Sequence, residues 1–328
     1  MLINEKNGDT VMPSEEMRKS VASLWISADG TADCNGPSKM AESIALQRFA
    51  ESRLSEDVRL FFDPYAVHFI DPVKLAWAKE HPGEIQALME DFEKKMPGWY
   101  NAIRGRIRYF DDIVQNAAGE GFSQLVILGA GYDTRAYRIG TLKGYTRVFE
   151  IDRPATQERK TEIVKKIFGQ LPDHVSFIPH DIGTGPWWPV LEAAGYSMAQ
   201  KTLFVLEGLV MYLPSRDVEE LLARIAEHAG AGSTVLFDFV PQSLADGTSD
   251  AEGGQHIRNA TIQIGEPILS GFSEGKVVPF LTGLGYSGVQ VIPSRAYAGM
   301  YFAGKNADQK VSGLMSVAYA TVSGVSRQ

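Results

Sequence analysis

Leu125-Val126-Ile127-Leu128-Gly129-Ala130-Gly131-Tyr132-Asp133-Thr134-Arg135 joins an unbroken apolar run to a glycine loop. Consecutive large aliphatic residues bounded by glycine read as a strand covered on both faces. The next such run, Val148-Phe149-Glu150-Ile151-Asp152, ends in acid, and Asp152 lies 21 residues beyond Gly131. In an open α/β sheet that spacing marks an adenosine site. The glycines let a ligand approach the backbone, and a carboxylate at the neighbouring strand tip can take both ribose hydroxyls.

The loop chemistry narrows the cofactor. A pyrophosphate loop carries a third glycine or alanine, so that the following helix packs close beneath the phosphates. Here that position is Thr134. Asp133 would repel a pyrophosphate, yet it suits the ammonium and sulfonium charges of S-adenosylmethionine. A tight turn without a ligand and a nicotinamide site are the competing readings. Asp152 has a second reading as the cap of a helix opening at Arg153-Pro154, since proline favours the first helical position. The two roles are compatible.

Outward from this loop, strand and helix patterns alternate. Strands are predicted at 124–129, 146–151, 175–179, 202–207 and 234–239, and helices at 153–168, 186–194 and 215–229. In the last helix, Val218, Leu221, Leu222, Ile225 and Ala229 form the apolar stripe, and Asp217, Glu219 and Glu220 favour its N-terminal dipole. A helix near 274–284 and strands near 286–292 and 314–322 follow. The alternation predicts an α/β fold with a mostly parallel, Rossmann-like sheet and helices on both faces.

Before the glycine loop, a long helix begins at Pro97 and ends near Gly119–Gly121, with Tyr100, Ile103, Ile107, Phe110 and Val114 on its apolar side. Residues 38–97 read as short helices broken at Asp63-Pro64 and Asp71-Pro72. Residues 1–37 are polar apart from a short amphipathic piece over 17–26. The chain therefore divides into an N-terminal arm and helical cap over 1–97 and a core over 98–328. Residues 241–270, polar and rich in glycine, read as a lid over the site or as a plain insertion.

Ligands of open sheets sit at the carboxyl ends of strands. Glu207, after Thr202–Leu206, therefore faces the same crevice as Gly129 and Asp152. There it can hold an ammonium, or stand as a solvated loop acid. Tyr212 lines the substrate pocket or belongs to the core. His180-Asp181-Ile182 follows the third strand, where Asp181 can accept from an adenine amino group or cap a helix. Arg104, Arg106 and Arg108 offer fork geometry for a carboxylate, or a solvated basic face.

Other classes fall away. The composition, 44% hydrophobic and 22% charged over 328 residues, is that of a globular chain with a sizeable core. A net charge of -8 without a Lys/Arg run argues against a nucleic-acid partner. No apolar run approaches the roughly 20 residues of a membrane span. No signal-peptide h-region is visible, and the single cysteine, Cys34, permits no internal disulfide; both point to the cytoplasm. The six histidines, His68, His81, His174, His180, His228 and His256, show no metal-ligand spacing, so no metal site is expected. There is neither a Gly-x-Ser-x-Gly elbow nor a Walker loop.

With these motifs in place, the chain resembles the leucine carboxyl methyltransferase family, which includes bacterial polyketide-type O-methyltransferases. The resemblance spans about residues 31–322 and rests on an ordered set of motifs. Lys39-Met40-Ala41 through Arg48-Phe49-Ala50-Glu51-Ser52 is similar to the N-terminal helix signature, and Asp63-Pro64-Tyr65-Ala66 follows it. Arg106-Ile107-Arg108-Tyr109-Phe110-Asp111-Asp112 resembles an Arg-Thr-Arg-Tyr-Phe-Asp-Asp run, with Ile107 in place of threonine. Leu128-Gly129-Ala130-Gly131-Tyr132-Asp133-Thr134-Arg135-Ala136-Tyr137-Arg138 is the most specific match. Phe149-Glu150-Ile151-Asp152-Arg153-Pro154 and Leu206-Glu207-Gly208-Leu209-Val210-Met211-Tyr212-Leu213 complete it.

The resemblance implies a seven-stranded methyltransferase sheet that binds S-adenosylmethionine. It implies that Arg106 and Lys39 hold the cofactor carboxylate. Gly129, with Ala130 and Gly131, would lie against the methionine moiety, Asp152 on the ribose, Asp181 and Ile182 around the adenine, and Glu207 near the amino group. The arm before residue 31 is outside the common pattern.

A carboxylate acceptor, with a pKa near about 4, needs no general base at neutral pH, whereas a hydroxyl acceptor usually does. His256, His180 and Tyr212 are the candidate catalytic side chains. The expected activity is methyl transfer to a carboxylate or hydroxyl of a small molecule. The alternatives are methylation of a protein C-terminal carboxylate, a nicotinamide-dependent reductase and a cofactor-binding protein without catalysis.

Overall fold

A computed structural model describes residues 2–3, 10–11, 36–144 and 146–323. The amphipathic piece over 17–26, Cys34 and most of the expected arm lie outside the described residues. Seven strands form one sheet: β1 (Gln124–Leu128), β2 (Arg147–Asp152), β3 (Val175–Pro179), β4 (Thr202–Leu206), β5 (Thr234–Phe239), β6 (Tyr286–Pro293) and β7 (Ser316–Val322). Their spatial order is β3-β2-β1-β4-β5-β7-β6. Neighbours from β3 to β5 are parallel, and β7 runs antiparallel to both β5 and β6.

Every residue of β1, β4 and β5 is buried, which is why these strands read as apolar runs, interrupted in β5 by Asp238. Successive side chains go to opposite faces. Leu125, Ile127, Leu203 and Val205 enter one core. Val126, Leu128, Phe204 and Leu206 enter the other. From β1 the chain builds outward to β3, then crosses back to β4 on the far side of β1. This reversal opens a crevice at the carboxyl ends of β1 and β4.

The first core is covered by α1 (Lys39–Ser52), α2 (Pro72–Glu80), α3 (Pro82–Lys95) and α4 (Trp99–Ala117). The expected breaks have different physics. Asp71 caps α2, accepting from Val73 N at 2.8 Å, with Pro72 first in the helix. Asp63 is buried and holds the cap to the glycine loop. Its carboxylate accepts from Arg48 Nε at 2.9 Å, the Thr134 hydroxyl at 2.6 Å, and the N–H groups of Tyr65 and Ala66. The threonine in the third-glycine position thus has a structural task.

In α4 the expected stripe is buried apart from the half-buried Tyr100, but so are Arg104 and Arg106. A solvated basic face describes only Arg108, which pairs with Asp112 one turn on. Residues two apart on a helix diverge by about 200°. Arg104 therefore turns to Glu51 of α1, while Arg106 turns to the strand ends. Between them Gly105 leaves room for the Tyr297 ring: a Cβ there would lie 2.5 Å from Tyr297 Cδ2. Alanine gains about 1 kcal/mol in helix propensity, but overpacking costs about 1–3 kcal/mol. Gly105→Ala should lower the melting temperature by a few degrees, measured by thermal denaturation.

The remaining helices are α5 (Arg135–Arg138), α6 (Pro154–Phe168), α7 (Trp188–Ala193), α8 (Ser215–His228), α9 (Gln242–Ala245), α10 (Gly254–Gln263), α11 (Val277–Gly283) and α12 (Tyr297–Tyr301). The segment 241–270, expected as a polar break, contains α9 and α10. Among the described residues no helix is long and apolar enough to cross a membrane.

Candidate active site

A cavity of about 480 Å³ opens at the carboxyl ends of the parallel strands, a size that suits a small molecule or cofactor. The loop after β1 forms part of its floor. Gly129 and Gly131 take φ of 65° and 43°, the left-handed region that glycine enters without strain. A Cβ on Gly131 would stand 3.2 Å from Ala41 Cβ of α1. Helix and loop thus approach closely where a ligand would lie between strand ends and cap.

Asp152 ends β2 and lines the cavity. Its Oδ2 accepts from Gly131 N at 2.6 Å and its Oδ1 from Arg153 N at 2.7 Å. The carboxylate therefore fixes the glycine loop and the turn into α6, but it does not cap that helix: Arg153 is the N-cap of α6, and no side chain caps it. Burial pushes its carboxyl above the ordinary range, against the pull of the two N–H groups. Each oxygen keeps accepting capacity for a hydroxyl.

Beneath the loop after β4, Glu207 bridges two arginines. Its Oε1 accepts from Arg106 Nε at 2.9 Å and its Oε2 from Arg135 Nη1 at 2.5 Å. Arg106 also donates to Asp238 Oδ2 at 2.8 Å, and Asp238 Oδ1 accepts from Gly208 N at 2.6 Å. Arg135 continues to Asp111 at 2.7 Å and Asp133 at 2.6 Å, and Arg138 closes on Asp111. This linked set, with Asp111, Asp133, Glu207 and Asp238 against Arg106, Arg135 and Arg138, carries one carboxylate more than guanidinium. Asp133, read from the sequence as the partner of a cofactor ammonium, is already committed to Arg135. Of the network's acids, Asp133 and Glu207 line the cavity, where Lys39, Arg48 and Arg153 also lie.

The cavity gathers Lys39, Arg106, Gly129, Ala130, Gly131, Asp152, His180, Asp181, Ile182, Glu207 and Tyr212. Asp181 caps no helix, since Trp187 is the N-cap of α7; its carboxylate accepts from Gly183 N at 3.0 Å in a local turn. Burial pushes the Tyr212 phenol up, so at neutral pH it keeps its proton and is no ready base. His256 is not brought to the site. It lies exposed on α10, whose cavity-facing side is Ile257, Ala260 and Thr261. His256→Ala should leave S-adenosylmethionine affinity and turnover within about twofold of wild type, measured by calorimetry and methyl transfer.

Two features were not singled out from sequence. Asp238 is a fully buried acid within the apolar run of β5, and its placement in that run is the signal that marks it. Ser38, which caps α1, donates from its hydroxyl to Glu266 Oε1 at 2.9 Å, and Arg153 stands 3.6 Å from Glu266. This contact joins the cap, the 241–270 segment and the loop after β2 over the cavity. No local pattern announces a pair 228 residues apart.

These residues fit S-adenosylmethionine. The Glu207 carboxylate suits its ammonium, the Lys39 ammonium its carboxylate, and Asp152 presents two oxygens beside the glycine loop. The family model for leucine carboxyl methyltransferase matches residues 41–226. The chain belongs to the leucine carboxyl methyltransferase family. A Mycobacterium avium protein named as an S-adenosyl-L-methionine-dependent methyltransferase is 32% identical over 231 residues, 68% of this chain and 75% of that one. A Streptomyces coelicolor protein of the same designation is 40% identical over 129 residues, 39% of this chain and 44% of its own.

At the level of fold, a Thermobifida fusca methyltransferase structure superposes with a TM-score of 0.57 at 14% identity, covering 89% of this chain and 97% of that chain. This family member is an S-adenosylmethionine-dependent methyltransferase with the seven-stranded fold that its motifs resemble. The nicotinamide and non-catalytic readings are set aside.

Proposed function

We propose that this enzyme is a small-molecule O-methyltransferase, with residues 241–270 acting as the lid of its acceptor site. The observation that carries this reading is the two-part lining of the cavity. The strand ends supply glycines, carboxylates and backbone groups, while Phe92, Met96, Trp99, Ile103, Ile268 and Met315 supply an apolar lobe. Such a lobe suits the body of a small, largely apolar acceptor.

In this reading Asp152 holds the ribose, Asp181 and Ile182 the adenine, and Gly129, Ala130 and Gly131 the methionine chain. Lys39 and the Arg106–Glu207 pair take the carboxylate and amino group. The bound cofactor supplies an electrophilic methyl group on a sulfonium. The protein's part is to hold the acceptor oxygen about 3–3.5 Å from that carbon and keep water out. The apolar lobe, the Ser38–Glu266 contact and α10 serve the second task.

Among the candidate bases, Tyr212 is protonated at neutral pH and His256 faces away. His180 borders the cavity, its Nε2 3.5 Å from the Gly185 carbonyl oxygen. This set favours an acceptor that is already ionised, a carboxylate. The same apolar lobe also admits a second reading, a protein C-terminal carboxylate beside an aliphatic side chain.

The test incubates enzyme and methyl-labelled S-adenosylmethionine with small carboxylic acids, phenols and a leucine-terminated peptide, then treats the products with mild base. Release of label as methanol from small acids is the expected result. Base-stable label on phenols means ether formation, and label on the peptide alone refutes the small-molecule reading.

A further inference from the structure

Lys160 is wholly buried on α6, yet it does not line the cavity. Its ammonium lies 2.7 Å from Glu150 Oε2 of β2, another side chain with no exposed surface. The Tyr137 hydroxyl donates to the same carboxylate, to Oε1 at 3.2 Å. Replacing a buried ion pair by apolar residues of similar volume is often neutral or stabilising. Stability alone therefore does not account for this pair.

Its position beneath the glycine loop does. Glu150 and Asp152 are two residues apart in β2 and face the same side of the sheet. Lys160 Nζ donates to the Ala130 carbonyl oxygen at 3.4 Å, and Asp133 N donates to that oxygen at 2.8 Å. The N–H of the same peptide unit belongs to Gly131, and it donates to Asp152 Oδ2 at 2.6 Å. In a trans peptide the C=O and N–H point opposite ways. This unit thus lies between an ammonium and a carboxylate, each at the end of the peptide dipole that attracts it.

Turned over, the unit would aim its oxygen at Asp152 and its N–H at Lys160. Glycine at 131 makes that turn sterically easy, because glycine takes either sign of φ. The two charges select the orientation that sterics leave open. Burial pushes the Asp152 carboxyl up, and the Lys160 charge is among the groups that oppose it.

Building on the reading in which Asp152 holds the ribose, we propose that Lys160 is a positioning residue for the cofactor: its ammonium holds the Ala130–Gly131 peptide in the orientation that seats the Asp152 carboxylate against the glycine loop, and so sets that carboxylate for the ribose hydroxyls. Lys160 acts from outside the cavity and touches no ligand.

S-adenosylhomocysteine and its 2′-deoxy analogue test this, titrated by calorimetry into wild type, Lys160→Met and Glu150→Gln/Lys160→Met. Lys160→Met strands Glu150 and should melt lower than wild type. The double variant has no charge at the pair and should melt within a few degrees of wild type. Wild type should prefer the ligand with the 2′-hydroxyl by about 10- to 100-fold. In both variants that preference should shrink below about threefold although Asp152 is intact, and S-adenosylhomocysteine should bind about tenfold more weakly.

A residue that only supports the fold would weaken both ligands alike, or neither once the melting temperature is restored. A preference that persists undiminished in the double variant therefore overturns the proposal and leaves the ribose role of Asp152 standing. Equal affinity of wild type for the two ligands overturns both, because it removes the ribose contact itself. Lys160→Met, titrated below its melting transition, gives the same comparison without relying on the double variant.

Discussion

Asp152→Ala is expected to weaken S-adenosylmethionine binding by about 100- to 1,000-fold. Hydrogen bonds to a charged group contribute about 1.5–3 kcal/mol each, and in the proposed reading this carboxylate accepts from two ribose hydroxyls. Water recovers part of that loss in the variant, leaving about 3–4 kcal/mol, where each 1.4 kcal/mol is tenfold. The substitution also frees Gly131 N, which Asp152 Oδ2 holds at 2.6 Å.

The two effects separate by ligand. The wild-type enzyme should bind S-adenosylhomocysteine more tightly than its 2′-deoxy analogue. In Asp152→Ala that difference should vanish, because the group that reads the hydroxyl is gone. Calorimetric titration of both ligands into both proteins measures this. Unchanged affinity in the variant refutes the ribose role, and a preserved difference leaves Asp152 as a loop fastener only.

How much of this site was legible in the sequence follows from distance along the chain. Gly129, Gly131 and Asp152 were legible because a βαβ unit has a nearly fixed length, so one spacing places glycine turn and acid together. Glu207 was legible because a strand tip points into the crevice whatever its partner. The partner itself was not. Arg106 meets Glu207 from 101 residues away, and nothing local distinguishes it from Arg104 or Arg108. Only the packing of α4 across the strand ends decides that Arg106 turns inward.

Helix α10 was missed for a different reason. Its N-cap, Gly253, has φ 81° and no capping side chain, so the usual start signal is absent. Ile257 and Ala260 face the cavity while Ile262 is exposed, and a helix with so narrow an apolar face reads as a polar loop.

Arg135→Ala should be the most damaging single change to stability. The side chain is 3% exposed and spans three carboxylates, Asp111, Asp133 and Glu207. Removing it leaves Arg106 and Arg138 to neutralise four acids, three of them buried. Breaking a buried ion network from one side costs about 3–5 kcal/mol. For a chain of this size, each kcal/mol corresponds to about 1.5 °C, so the melting temperature should fall by about 4–8 °C. Arg135→Lys should recover little, because a single ammonium cannot span three acceptors as a planar fork does.

The loss should depend on pH with a defined sign. Burial pushes the Asp111 and Asp133 carboxyls up; Arg138 and Arg135 more than reverse this for Asp111, and Arg135 and Lys160 for Asp133, so both sit below the ordinary value of 3.8. In wild type the stability they contribute is present above that value and is lost as pH falls through the lower, folded one. Without Arg135 the upward push of burial is less opposed, and folded-state pKa values move up. The variant then loses further stability as pH rises through those higher values. The gap between wild type and variant should therefore be widest near pH 7 and narrow towards pH 4. Urea melts at pH 7, 5.5 and 4.5 measure it. A gap that stays constant means that Arg135 acts through packing, since only the electrostatic role ties the loss to the protonation of its neighbours.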